Sequence, residues 1–309
     1  MSSFPESFAG IVPPVCTPFT DANEVDVPSL ERLVAFLLDA GVHGLFALGS
    51  TSETALLTDR QRATVVEVIV QTAARQVPVI AGVIDMATAS SIEHARVVER
   101  LGADGLVLTA PFYVQPSPSE IIEHFRAVRA AVDLPILAYD IPSAVQTKLD
   151  RATVLSMARE GLIAGLKDSS GDEANFRALV LETRSLDSFI SFTGSELLVD
   201  AALLAGASGS VPGLGNVDPA GFVRLYDAVR AGDLAMARAE QERLIRLFAI
   251  IYAATPGRMG PTAAFLGGFK SALLLRGVIA TNVPGRPLTR YNDEEVARVR
   301  AILVATGLL

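Results

Sequence analysis

Eight short apolar runs, each followed by a stretch of helical period, fill roughly the first 230 residues: GIVPPVC, GLFALG, VPVIAGV, GLVLTA, PILAYDI, IAGLKD, SFISFTG and ASGSVPG. They are continuous rather than alternating, which is how strands buried on both faces read. Between them lie amphipathic stretches such as PSLERLVAFLLDAG, DRQRATVVEVIVQTAARQ and ATASSIEHARVVERLG. The unit recurs every ~20 to 35 residues, so the chain is expected to form a parallel sheet covered by helices. Eight such units match a closed (β/α)8 TIM barrel better than an open doubly wound sheet. No GxGxxG follows the first run, which weighs against the dinucleotide-binding alternative. After Asp218 only helical text remains: PAGFVRLYDAVRAG, LAMARAEQERLIRLFAIIYAA, PTAAFLGGFKSALLLRG and DEEVARVRAILVATG. The first is expected to complete the barrel (residues 1–232, catalytic), and the other three to form a C-terminal helical subdomain (residues 233–309).

Half of the 309 residues are apolar, ample for one large core. No apolar run reaches the ~18 residues that would span a bilayer. The opening MSSFPESFAGIVPP lacks the basic and apolar regions of a secretory signal. A soluble cytoplasmic protein is therefore expected, and the single cysteine, Cys16, rules out an internal disulfide. The net charge of −8 with scattered basic residues argues against nucleic acid as a partner. His43, His94 and His124 are far apart and have no cysteine partners, so neither a metal nor another bound cofactor is expected.

A TIM barrel carries its chemistry at the C-terminal ends of its strands. The sixth run, LIAGLKDSS, ends in Lys167, one of only three lysines against 23 arginines. Burial disfavours the charged form of a lysine, and a free amine attacks a ketone to form an imine. The bland reading, a lysine reaching solvent or pairing with Asp168, carries equal weight on this residue alone. Tyr139 ends the fifth run, 28 residues earlier, one strand–helix unit away. On neighbouring strands the two side chains would stand about 4.8 Å apart, close enough for a phenol to relay protons. A tyrosine merely packed in the rim is otherwise the commoner case. The second run ends in GSTSET, where backbone N–H groups and the Ser50 and Thr51 hydroxyls can cradle a carboxylate. An isolated GST turn is more often an ordinary capped loop. Tyr113, in TAPFYVQPS, reads equally as a surface aromatic.

Together and in this order, GSTSE, PFY, YDIPS and GLKDSSG resemble the dihydrodipicolinate synthase/N-acetylneuraminate lyase family of class I pyruvate aldolases, over nearly the whole chain. The resemblance implies that Lys167 is the imine-forming lysine and Tyr139 the general acid/base. It implies that Ser50 and Thr51 hold the pyruvyl carboxylate, with Ser50 also in the proton relay. Tyr113 matches a relay tyrosine inserted across a subunit interface, and Val211 a residue whose carbonyl faces the pocket. The family is typically homotetrameric, so a homotetramer is implied.

The departures bear on substrate. Members that make dihydrodipicolinate usually follow YNVPS with an arginine that grips the aldehyde's carboxylate, but here YDIPS precedes Ala144. Neuraminate lyases carry two acids in the seventh loop, whereas TGSELL supplies Glu196 and then Leu197. Ser52 replaces the usual Gly, and Asp140 the usual Asn. These changes predict an aldolase joining or cleaving a 2-keto acid, such as a 2-keto-3-deoxy sugar acid, and an aldehyde. Ser169, Glu196 and Asp140 are the candidates for binding the aldehyde's hydroxyls. A 2-keto-3-deoxy acid dehydratase and 4-hydroxy-tetrahydrodipicolinate synthase are the nearest alternatives. A catalytically silent ligand-binding barrel and a metal-dependent aldolase stand further off.

Overall fold

The computed structural model describes Phe4, residues 8–186 and residues 188–309. All eight apolar runs contain parallel strands: β1 (Gly10–Ile11), β2 (Leu45–Ala47), β3 (Val79–Gly82), β4 (Gly105–Leu108), β5 (Ile136–Asp140), β6 (Gly165–Asp168), β7 (Ile190–Thr193) and β8 (Gly209–Ser210). From β2 to β8 each strand pairs with the next in sequence, and β1 pairs with β8. The ring closes through backbone hydrogen bonds from His43 N–H to Ile11 O (2.8 Å) and from Phe46 N–H to Pro13 O (3.0 Å). This is the expected TIM barrel, and every strand residue is buried.

The helices are α1 (Val27–Asp39), α2 (Asp59–Ala73), α3 (Thr88–Arg100), α4 (Pro118–Ala131), the short α5 (Pro142–Val145), α6 (Arg151–Arg159), α7 (Glu173–Thr183), α8 (Val199–Leu204), α9 (Pro219–Ala231), α10 (Leu234–Phe248), α11 (Pro261–Leu275) and α12 (Asp293–Ala305). Local chemistry sets where several begin. Thr58 with Gln61, Ser117 with Glu120, and Asn292 with Glu295 form capping boxes at α2, α4 and α12. The run 234–254 does not stay α-helical, for after Phe248 it tightens into a 3₁₀ turn, Ala249–Tyr252.

Two apolar clusters follow from the alternation of side chains along each strand. The larger lies between sheet and helices and contains Leu30, Leu33, Val65, Ile69 and Phe125. The smaller fills the barrel, with Phe8, Phe46, Val107, Leu137 and Phe192 among its members, and Tyr139 and Val211 near its top. The interior is thus packed, and a ligand has room only above it. The C-terminal helices are tied to that upper rim. Gln241 on α10 accepts from Val199 N–H (2.9 Å) and donates to Glu196 O (2.9 Å), and Arg243 pairs with Asp218. Among the described residues no helix is long and apolar enough to cross a membrane.

Candidate active site

Above the packed interior lies a cavity of about 820 Å³, lined by residues from strand ends, loops and the C-terminal helices. Lys167 and Tyr139 are direct register partners on β6 and β5, so their side chains share one face of the sheet. Lys167 is buried, and its Nζ lies 3.9 Å from the centroid of the Tyr139 ring and 5.2 Å from that of Phe46. The two aromatics hold the lysine stem at the cavity floor, and their π-faces attract its positive form. Gly194, opposite, leaves the space this needs. A Cβ there would stand 3.2 Å from Lys167 Cε and would run into Ser169 Oγ.

The chain's other two lysines are engaged elsewhere. Lys148 pairs with Asp140, and Lys270 with Glu53. Lys167 has no ion-pair or hydrogen-bond partner among the described residues. Asp168, its neighbour, faces the other way and accepts from Ser170 N–H (2.7 Å), so the Lys167–Asp168 pairing considered from sequence does not occur.

The turn after β2 carries Ser50 and Thr51 at the cavity wall. Ser52, Glu53 and Thr54 spend their N–H groups on Gly49 and Ser50 carbonyls. The N–H groups of Ser50 and Thr51 have no acceptor among the described residues, so the expected nest consists of these two donors plus the hydroxyls. Ser50 Oγ lies 3.5 Å from Tyr139 OH, at the outer limit of a hydrogen bond. The replacement of the usual Gly by Ser52 is accommodated, because the left-handed residues of this turn are Leu48 (φ 59) and Glu53 (φ 61), not Ser52. The Ser52 hydroxyl donates to Val15 O (2.5 Å) and accepts from Gly49 N–H (3.1 Å), fixing the turn to the barrel.

Glu196 and Ser169 line the cavity with Val211 and Ala144. Glu196 accepts from Gly213 N–H at 2.8 Å. Burial pushes its carboxyl above the usual range, against that hydrogen bond and the nearby charge of Lys167. Asp140 is a correction to the sequence reading. It follows Tyr139 on β5 and so points to the opposite face, where it binds Lys148 and accepts from Leu149 N–H (3.1 Å). It organises the loop after β5 and faces no substrate. Tyr113 is outside the cavity altogether, 94% exposed and in the left-handed region at φ 71.

Sequence reasoning missed the cavity's outer wall. Ile251 and Tyr252 from the 3₁₀ turn, and Thr262, Phe265 and Leu266 from α11, close it. Apolar helix positions carry the same signal whether they face a core or a ligand, so periodicity alone could not single them out. The histidines serve the framework. His94 Nε2 lies 3.2 Å from Asp85 Oδ2, His124 Nδ1 2.9 Å from Thr88 Oγ1, and His43 Nδ1 accepts from Ile11 N–H. No group of three or more His, Cys, Asp or Glu side chains able to hold a metal occurs among the described residues.

The chain matches known proteins along nearly its whole length. The dihydrodipicolinate synthetase family profile matches residues 7–306. A DapA-like lyase of Halobacterium salinarum is 35% identical, with 100% of this chain and 97% of that protein covered. A 4-hydroxy-tetrahydrodipicolinate synthase of Methanoculleus marisnigri is 32% identical, with 97% and 100% covered. Among solved structures, YagE of E. coli K12, a prophage protein of the dihydrodipicolinic acid synthase family crystallised with pyruvate, superposes with a TM-score of 0.91 at 29% identity, covering 98% of this chain and 99% of that one. The chain belongs to the dihydrodipicolinate synthetase family and is a class I pyruvate-dependent lyase.

Proposed function

We propose that this lyase acts as an aldolase, through an imine between Lys167 and a 2-keto acid whose partner aldehyde carries no anionic group. The observation that supports the nucleophile is the one just described: of three lysines, only Lys167 is buried at a cavity floor with no anion bound to it. Its amine adds to the C2 carbonyl, and the carbinolamine loses water to give the imine. In cleavage, a base removes the C4 hydroxyl proton, the C3–C4 bond breaks into the imine, and the aldehyde departs. The enamine takes a proton at C3, and water releases pyruvate. Tyr139 and Ser50 are the groups placed to move these protons. Ser50 and Thr51 hold the carboxylate, and Ser169 and Glu196 face the hydroxyl-bearing part. Val211 contributes the wall beside them. The reaction calls on no metal or other bound cofactor.

A second reading has its own observation. The raised Glu196 carboxyl is suited to protonate a leaving hydroxyl, which would make the enzyme a 2-keto-3-deoxy acid dehydratase using the same imine. Quantifying pyruvate and aldehyde against a dehydrated keto acid separates the two.

The acceptor follows from the lining. Ala144 occupies the arginine position, and among the described residues Lys167 is the only cationic side chain on the cavity wall. An aldehyde carboxylate there forgoes a charge-assisted hydrogen bond of ~1.5–3 kcal/mol, which corresponds to ~10- to 100-fold in kcat/KM. Cleavage of a 2-keto-3-deoxy sugar acid or similar neutral-aldehyde adduct is therefore expected to exceed condensation of pyruvate with aspartate semialdehyde by that factor. A panel in which the semialdehyde ranks first would overturn this and return the enzyme to 4-hydroxy-tetrahydrodipicolinate synthesis.

Tyr113 supports a homotetramer. A left-handed, exposed tyrosine costs about 1 kcal/mol or more of backbone strain, and the family resemblance implies that this residue reaches a neighbouring subunit's site. Light scattering at working concentration is expected to give the mass of four chains, and a monomer at full activity would sink the assignment. We take residues 1–232 as the catalytic barrel and 233–309 as an appended helical subdomain. We place the enzyme in the cytoplasm, where the buried thiol of Cys16 stays reduced.

A further inference from the structure

Glu53 and Lys270 form an ion pair whose two side chains are both fully buried, 0% exposed each. Stability alone does not call for such a pair, because well-packed apolar residues in its place are often neutral or stabilising. Its position says more. Glu53 ends the turn that carries Ser50 and Thr51, and its own N–H closes that turn on Ser50 O (3.0 Å). Its other carboxylate oxygen accepts from Gly285 N–H (2.6 Å). Lys270 lies on α11, one helical turn beyond Leu266 on the cavity wall. Its Nζ donates to Val283 O (2.9 Å) and sits 4.4 Å from the Phe19 ring centroid. The pair is therefore the point where the anion-cradling turn, the helix that walls the cavity and the 283–285 segment meet. Cys16 is buried alongside, its thiol pushed up to about 12 by that burial.

We propose that Glu53 and Lys270 are positioning residues that lock the Ser50–Thr51 turn to α11, so that its two free N–H groups point at the substrate carboxylate. The left-handed backbone at Glu53 gives the lock its purpose: a residue in that region is strained and persists only where its surroundings over-determine it. The ion pair and the Gly285 hydrogen bond do so from the side away from the barrel, while Ser52 does so from the barrel side. This inference rests on the proposed reading that a 2-keto acid carboxylate sits at Ser50 and Thr51.

The test replaces both charges at once, as Glu53→Gln/Lys270→Met, so that neither ion is left buried and unpaired. Three quantities are read on the purified enzyme: the melting transition, the pyruvate concentration that half-saturates borohydride trapping at Lys167, and the same concentration for acetone, a ketone without a carboxylate. A cooperative melt is expected, with the pyruvate value raised ~10-fold or more, as for a weakened charged hydrogen bond, and the acetone value unchanged. A wild-type pyruvate value in the double variant would overturn the lock while leaving Lys167 chemistry standing. Equal weakening of both ketones would also overturn it, since the pair would then support the whole site rather than the carboxylate turn. Absence of trapping at Lys167 in the unmodified enzyme would instead sink the underlying reading. Should the double variant fail to melt cooperatively, Glu53→Asp keeps the charge, draws it back by one methylene and carries the same comparison to the same outcomes.

Discussion

Borohydride with pyruvate is expected to label Lys167 irreversibly, and Lys167→Ala is expected to lose turnover by roughly 10⁴-fold or more. Only an imine reduces to a stable secondary amine, so the adduct reports the covalent step itself rather than binding. Peptide mass mapping distinguishes the three lysines. Lys148 and Lys270 are held by Asp140 and Glu53, and neither lines the cavity. Lys167 stands among aromatic rings and is the one with access to the cavity. Alanine removes the amine without filling its space, and no other lysine lines the cavity to substitute for it. Labelling at Lys148 or Lys270, or none at saturating pyruvate, would defeat the assignment. A chain that binds pyruvate without being trapped would be the silent barrel, or an aldolase that activates pyruvate through a metal.

The strand ends were legible because buried parallel strands must be continuous and apolar, so a lysine or tyrosine closing one stands out against its background. The 28-residue interval then placed Tyr139 and Lys167 on adjacent strands, where they are register partners. Asp140 was misread for a reason available in the sequence: adjacent strand residues point to opposite faces, and a Tyr139 directed inward obliges Asp140 to point outward. The outer wall of the cavity was not legible, since Phe265 and Leu266 sit in a helix apolar enough to read as core throughout. Nor was the Glu53–Lys270 pair, whose members lie 217 positions apart in the chain. Nothing local marks a charge as buried, and only the closing of α11 over the turn makes it so.

Tyr139→Phe is expected to keep the site's shape and still form some imine, yet turn over ~10²- to 10⁴-fold more slowly, the scale of a lost general acid/base. Phenylalanine preserves the ring against which the lysine stem rests, and with it the packing of a residue only 3% exposed. What it removes is the hydroxyl 3.5 Å from Ser50 Oγ. Carbinolamine dehydration, removal of the C4 hydroxyl proton and protonation of the enamine each need a proton moved at the cavity floor. Tyr139 is the hydroxyl-bearing residue directly paired with Lys167 on the next strand. The defect should therefore fall on kcat, with trapping by borohydride slowed less than turnover. Ser50→Ala breaks the same relay one step further out, so the Tyr139→Phe/Ser50→Ala double variant should cost little more than Tyr139→Phe alone, as expected of groups that act as a unit. Additive losses would mean that Ser50 serves only the carboxylate. Near-normal turnover in Tyr139→Phe would move the acid/base elsewhere in the cavity, and the raised carboxyl of Glu196, within reach of the charge on Lys167, would be the group to replace next.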